Sequence, residues 1–310
     1  MFPPPPYREN EFSNVEVCKL ESLIFPDSLA GSPLQTMVNL EKRNKKEIIA
    51  AETLVTLVKI NEKINMETKA TKLVTDIVSL QSCNNIYSVD TVIDENSYNF
   101  YISEVCCDVD KIIKISVQTL HQSQSDEWFK QRVLRITASN AHKLKGNRFD
   151  VDKVISDFLT PNTLETSAIT YGRKMESIAL KEYEGLIDPA HKVMKVGLIV
   201  NICQPWLSCS PDAVVEYGAN IWQKRLVEIK CPYNCKKIPV FDRHDHTCNV
   251  KYLKYDENGL QLSQNHCIYT QIQVQMYVTN IAFCDLFVYS PLGSVLITVA
   301  RDNVFLQKMY

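Results

Sequence analysis

"CSPDAVVEYGANIWQKRLVEIKCP", residues 209–232, holds two apolar runs of strand character separated by Gly218, Ala219 and Asn220, a turn signal. A hairpin centred on Asn220 sets Asp212 directly opposite Glu228. Strand side chains alternate between faces, so Glu228 and Lys230 share one face while Val227 and Ile229 pack on the other. Two carboxylates and a lysine then meet on one small patch. Like charges a few ångströms apart repel strongly away from water, and such a pair persists when a cation or a shared proton compensates. Magnesium suits oxygen ligands and keeps waters that a phosphate or a nucleophile can replace. A neighbouring lysine can orient or deprotonate the attacking water, or stabilise charge developing on a phosphate oxygen. That is a phosphodiesterase arrangement. The same trio also fits a solvated hairpin face with one cross-strand salt bridge, the commoner outcome for isolated trios of this kind.

Outward from the hairpin, apolar runs at 193–200, 284–290 and 294–300 read as further strands, and 171–186 and 266–279 as helices. Helices interrupting a central set of strands predict an α/β or α+β domain over residues 118–310. Upstream, Leu40, Ile48, Leu54, Leu57 and Ile64 recur near helical spacing, so residues 36–117 are expected to be mainly helical, of unknown role. The end of that region, 86–117, mixes β-branched and aromatic residues with Asn, Asp and Ser, and predicts short strands or an irregular linker. Residues 1–35, with their proline run, read as a disordered or extended lead-in.

A net charge of −2 excludes binding of nucleic acid by bulk attraction alone. The acidic excess lies in residues 1–117 and the remainder is mildly basic, which permits a local basic groove. Eleven scattered cysteines fit reduced thiols in an intracellular, non-secreted protein, and the start "MFPPPPYREN" lacks the apolar segment of a secretion signal. No apolar run approaches the roughly 20 residues of a membrane span.

Pro211-Asp212, then Glu228-Ile229-Lys230 followed by Cys231-Pro232, resembles the PD-(D/E)xK nuclease signature in the form used by lambda exonuclease and the YqaJ-type viral recombinases. Three further motifs resemble that family in order: "WFKQRVLRITASNAHKL" (128–144), "YGRKMESIALKEYE" (171–184) and "YTQIQVQMYVT" (269–279). The resemblance covers residues 118–310 and implies a restriction-endonuclease-like mixed sheet core flanked by helices. It implies a metal-dependent exonuclease acting on double-stranded DNA ends in recombination or repair, with magnesium, or manganese in its place, held by Asp212, Glu228, the backbone carbonyl of Ile229 and Glu176. Lys230 then serves the attacking water, and Gln271 is the family's active-site glutamine, with Gln273 and Gln275 read as packing or surface positions. Arg132 and Ser139 stand at the spacing with which the family holds the terminal phosphate of a DNA end; Arg135 is a second candidate, ranked below Arg132. The rings that family members form around DNA leave a homo-oligomer open.

Cys231, Cys235, His244, His246 and Cys248 lie close in sequence, but their spacing is not that of a zinc finger. Residues 233–262 read instead as an insertion, hairpin-like around "YDENGL", with Lys236, Lys237, Arg243, Lys251 and Lys254 able to track a DNA backbone or simply to face solvent. Two alternatives keep the nuclease fold without turnover: a nucleic-acid-binding module, and a protein that engages a protein partner through its N-terminal region. The final "NVFLQKMY" reads as a helix only begun, as in a C-terminally truncated product.

Overall fold

Strands β5 (Ala213–Glu216) and β6 (Lys224–Lys230) pair in the register that the hairpin arithmetic demands, Ala213 opposite Val227 and Glu216 opposite Lys224. The computed structural model describes residues 45–81, 94–145, 150–159, 165–218 and 224–308, with only the backbone described at 45–52 and 151. The expected lead-in at 1–35 and the turn residues Ala219 and Asn220 lie outside the described residues. The chain divides into two units, Met1–Thr68 and Lys69–Tyr310. Of the first, the description covers the opening part of one helix, α1 (Lys45–Leu80), whose last turns belong to the second. The boundary expected near residue 117 falls inside the second unit.

In that unit the helices are α2 (Glu95–Phe100), α3 (Val109–Gln118), α4 (Asp126–Val133), α5 (Val151–Leu159), α6 (Ser167–Leu186), α7 (Cys267–Thr279) and α8 (Asn303–Gln307). The remaining strands are β1 (Ile136–Thr137), β2 (Lys192–Met194), β3 (Ile199–Val200), β4 (Leu207–Cys209), β7 (Phe241–Asp242), β8 (Thr247–Cys248), β9 (Leu253–Asp256), β10 (Gly259–Leu262), β11 (Phe283–Val288) and β12 (Val295–Ala300). A five-stranded sheet runs β12-β11-β6-β5-β2, parallel only between β11 and β6, so the fold is a mixed α/β sheet flanked by helices. Strands β1, β4 and β3 form a second small sheet, and β9 with β10 forms the hairpin expected around "YDENGL".

Each face of the central sheet takes one helix. Val214, Leu226, Leu286 and Val288 pack with Ile272, Val274 and Met276 of α7, whereas Ala213, Val215, Val227, Ile229 and Phe287 pack with Ala179, Leu180 and Tyr183 of α6. Burying a side chain of this size contributes roughly 1.5–3 kcal/mol, so the two layers fix the strand ends between the helices. The end of α1 and α3 contribute Val74, Val78, Ile112 and Ile115 to a third cluster with Leu198 and Val200.

Two expectations change. The stretch read as strands or linker is helical where described, because its Asp residues cap helices: Asp94 accepts from the Ser97 amide at 3.0 Å and Asp108 from the Lys111 amide at 2.7 Å. The run 193–200 is not one strand. At Gly197 a Cβ would run into the Ser116 carbonyl oxygen, and the Leu198 amide donates to Thr119 Oγ1 at 2.7 Å, so contact with α3 replaces sheet pairing there. No helix among the described residues is long and apolar enough to cross a membrane.

Candidate active site

The C-terminal end of β6 carries Glu228, Ile229 and Lys230 into the space between α6 and α7. Asp212 is anchored to this strand from both sides of its residue. Its amide donates to the Val227 carbonyl at 3.1 Å, and its Oδ2 accepts from the Ile229 amide at 2.6 Å. The segment just before it is also pinned, by Gln122 Nε2 donating to the Pro211 carbonyl at 2.9 Å and Trp128 Nε1 donating to Ser210 Oγ at 2.9 Å.

Glu228 is 2% exposed. Its Oε1 accepts from Lys230 Nζ and from Gln271 Nε2 at 2.6 Å, and its Oε2 accepts from Gln275 Nε2 at 2.7 Å. Both glutamines lie on α7, which begins at His266, whose ring accepts from the Ile268 amide, and ends at Asn280 in the left-handed region, φ 54°. Four residues apart on one helix, their amides share a face. Gln275, expected to be packing or surface, is therefore a site residue that the sequence reading passed over; the i, i+4 spacing from Gln271 was the signal. Gln273 points elsewhere, donating to the Ala300 carbonyl at 3.0 Å and accepting from the Asp302 amide at 2.7 Å.

Burial raises the Asp212 carboxyl well above the usual carboxylate range, and the charge of Glu228 adds to this against the pull of Lys230. Glu176, on α6, is raised too: burial of the carboxyl is the main cause although the residue as a whole is exposed, Lys195 opposes it and Glu228 reinforces it. Burial alone would lower Lys230, but Glu228 and Asp212 together hold it above the ordinary lysine value. Asp212, Glu228, Glu176 and Lys230 thus share one electrostatic environment, in which burial acts most strongly and their mutual charges come next.

Arg132 and Ser139 also meet, Nη2 donating to Ser139 Oγ at 3.0 Å, with the guanidinium 4.0 Å above the Trp128 ring. Burial pulls Arg132 down to about 10, which leaves it charged at neutral pH. Arg135 differs. It is 3% exposed, and its guanidinium donates to the carbonyls of Pro205, Gln131 and Val105 and to Gln131 Oε1. These bonds tie three chain segments together and leave it no phosphate to hold.

Of the cysteine and histidine group, Cys235 is buried, His244 pairs with Asp245 at the surface, and His246 stacks on Tyr255 at 4.7 Å. Among the described residues no three His, Cys, Asp or Glu side chains are gathered as a ready ligand set, and Glu228 is engaged by Lys230 and two amides. The donor chemistry nonetheless fits a hard cation: oxygen ligands only, beside two carboxyls whose proton affinity is raised chiefly by burial and further by Glu228, a shift that a divalent charge would oppose.

The sequence model of the YqaJ-like viral recombinase domain matches residues 127–282, half of the chain. The alkaline nuclease of Autographa californica nuclear polyhedrosis virus is 26% identical over 222 residues, which take in 64% of this chain and 49% of that protein; the chain spans about half the length of this curated relative. Among solved structures, the alkaline exonuclease LHK-Exo from Laribacter hongkongensis is similar with 21% identity and a TM-score of 0.45, over 60% of this chain and 87% of the other. A phage-related exonuclease from Haemophilus somnus 129PT is similar with 13% identity and a TM-score of 0.36, over 57% and 88% of the two chains.

Proposed function

The chain belongs to the YqaJ-like viral recombinase domain family, and from that premise we propose that it is a magnesium-dependent deoxyribonuclease, an exonuclease hydrolysing phosphodiester bonds at double-stranded DNA ends in recombination or repair. One observation carries the reading: Asp212, Glu228 and Glu176 act on one another around Lys230 at the end of a buried strand. Two further carboxylates within electrostatic reach of a buried, lysine-paired Glu228 are what a divalent cation would compensate.

Asp212, Glu228, Glu176 and the Ile229 carbonyl would hold the ion, which when bound acidifies water and offsets phosphate charge. The residues themselves divide the remaining work. Lys230, kept charged by its two carboxylate neighbours, is suited to stabilise negative charge on a phosphate oxygen rather than to take a proton. Gln271 bridges the pair, donating to Glu228 while its Oε1 accepts from Lys230 at 3.5 Å, and so fixes where the ammonium points. Arg132 and Ser139 supply a guanidinium fork and a hydroxyl, the donors that a terminal phosphate takes. Trp128 stacks under that guanidinium and bonds Ser210, two residues before Asp212, so the end-binding pair and the carboxylates are built on one framework.

The test is incubation of the protein with linear and with covalently closed duplex DNA in magnesium, beside the Lys230→Ala variant. The reading expects release of nucleotides from the linear duplex, an intact closed circle, and loss of release in the variant. Equal degradation of linear DNA by both proteins would remove it.

A further inference from the structure

Gln275 lies outside the residues that the family resemblance assigns, yet among the described residues it makes the one hydrogen bond to Glu228 Oε2. It is 1% exposed, and the other oxygen of the same carboxylate is engaged separately. A carboxylate offers about four lone-pair sites, two per oxygen. Lys230 and Gln271 take both on Oε1; Gln275 takes one on Oε2. The lone pair left to bind a cation is therefore on Oε2, the oxygen whose direction Gln275 sets.

We propose that Gln275 is the positioning residue for the metal-binding oxygen of Glu228, forming with Gln271 a two-amide clamp that holds the carboxylate plane. The inference rests on the metal-dependent reading above. An amide suits this role because it donates a hydrogen bond without adding charge. A lysine there would compete with the cation for the carboxylate, and an aliphatic side chain would let Oε2 rotate away. Outer partners of metal ligands act in this way in general, and their loss weakens metal binding by about 10- to 100-fold. The Gln275 Oε1 accepts no hydrogen bond among the described residues, so the side chain is committed to the cleft through its amide nitrogen and keeps an acceptor for a proton donor there. Its backbone is fixed independently, the carbonyl accepting from Thr279 Oγ1 at 2.8 Å. Gln273 is the internal contrast: same helix, equally buried, but among the described residues bonded only to the backbone at Ala300 and Asp302.

The experiment is calorimetric titration of manganese into the DNA-free protein, for wild type, Gln275→Met and Gln273→Met, with thermal unfolding of each. The expected result is manganese binding weakened roughly 10- to 100-fold in Gln275→Met, and a lowered unfolding temperature with unchanged manganese affinity in Gln273→Met. If Gln275→Met does not fold, Gln275→Asn, which keeps the amide but withdraws it by one methylene, is read in its place with the same expectation. A Gln275 variant that is folded and binds manganese as tightly as wild type would overturn the proposal. A wild type with no manganese isotherm would overturn the metal-dependent reading beneath it, and the inference with it.

Discussion

Glu228 and Asp285 are both nearly inaccessible carboxylates on adjacent strands of one sheet, and they do opposite things. Asp285 pairs with Val227, so its side chain lies on the face away from Glu228. It is 1% exposed and accepts from Tyr183 Oη at 2.8 Å, Tyr217 Oη at 3.1 Å and Thr298 Oγ1 at 2.6 Å, with Arg225 at 3.4 Å. Hydroxyl donors surround one charge and a single arginine completes it. Glu228 is held by Lys230, Gln271 and Gln275, and two further carboxylates lie within electrostatic reach. The difference lies in the surroundings: Asp285 is satisfied by three hydroxyls and an arginine, whereas Glu228, held by two amides and a lysine, has other carboxylates beside it, the setting in which the proposed cation would act.

The sharpest way to break that comparison is at the cleft. Asp212→Ala and Lys230→Ala are each expected to lower the rate of magnesium-dependent hydrolysis by about 10²–10³-fold or more, with little change in the urea midpoint; turnover assays on linear duplex decide, and rates near wild type would end the assignment. On the other face, Asp285→Ala is expected to cost about 3 kcal/mol of stability, because Tyr183, Tyr217 and Thr298 lose a shared acceptor. Urea unfolding reads this directly, and a cost under about 1 kcal/mol would show the network to be incidental.

These contrasts were partly legible in the sequence. The register of β5 and β6 followed from the turn signal and the alternation of Val227 and Ile229 with Glu228 and Lys230, because period-two patterning leaves only one face for the core. Helix α7 was legible as a helix, but not which of its glutamines matter. It is buried nearly all round, so no amphipathic stripe separates Gln273 from Gln275. Arg135 was offered as a phosphate ligand because composition cannot show that its donors are used by carbonyls distant in sequence, Pro205 among them. The helices at 95–100 and 109–118 were missed for a local reason: Asp and Ser signal loops and helix caps alike.

Arg132 and Arg135 give a smaller version of the same comparison, three residues apart. Arg132→Ala is expected to reduce the preference for 5′-phosphorylated over 5′-hydroxyl ends by about 10-fold or more, the scale of one charge-assisted contact. Arg135→Ala should instead lower stability and leave that preference alone. Competition between the two end types measures both, and an unchanged preference in Arg132→Ala removes the end-binding assignment.

The smallest effect is on pH. Asp212 and Glu176 have folded-state values above their unfolded ones, so the folded protein binds more protons and loses stability as pH rises from about 4 through the raised values. Asp94, Asp256 and Asp302 are shifted downward, and their opposite contribution is complete below that window. Ion-free thermal unfolding should therefore show a decline with pH that Asp212→Asn largely abolishes and divalent ion suppresses; stability that climbs across the same range contradicts the crowded cleft.

The central claim is tested most directly by near-isosteric neutralisation of the two buried carboxylates. In Glu228→Gln and Asp285→Asn, nucleotide release from linear duplex DNA in magnesium is measured per folded molecule. The account predicts release abolished in Glu228→Gln and retained in Asp285→Asn despite its lower stability. Release retained in Glu228→Gln, or lost equally in both folded variants, would contradict it.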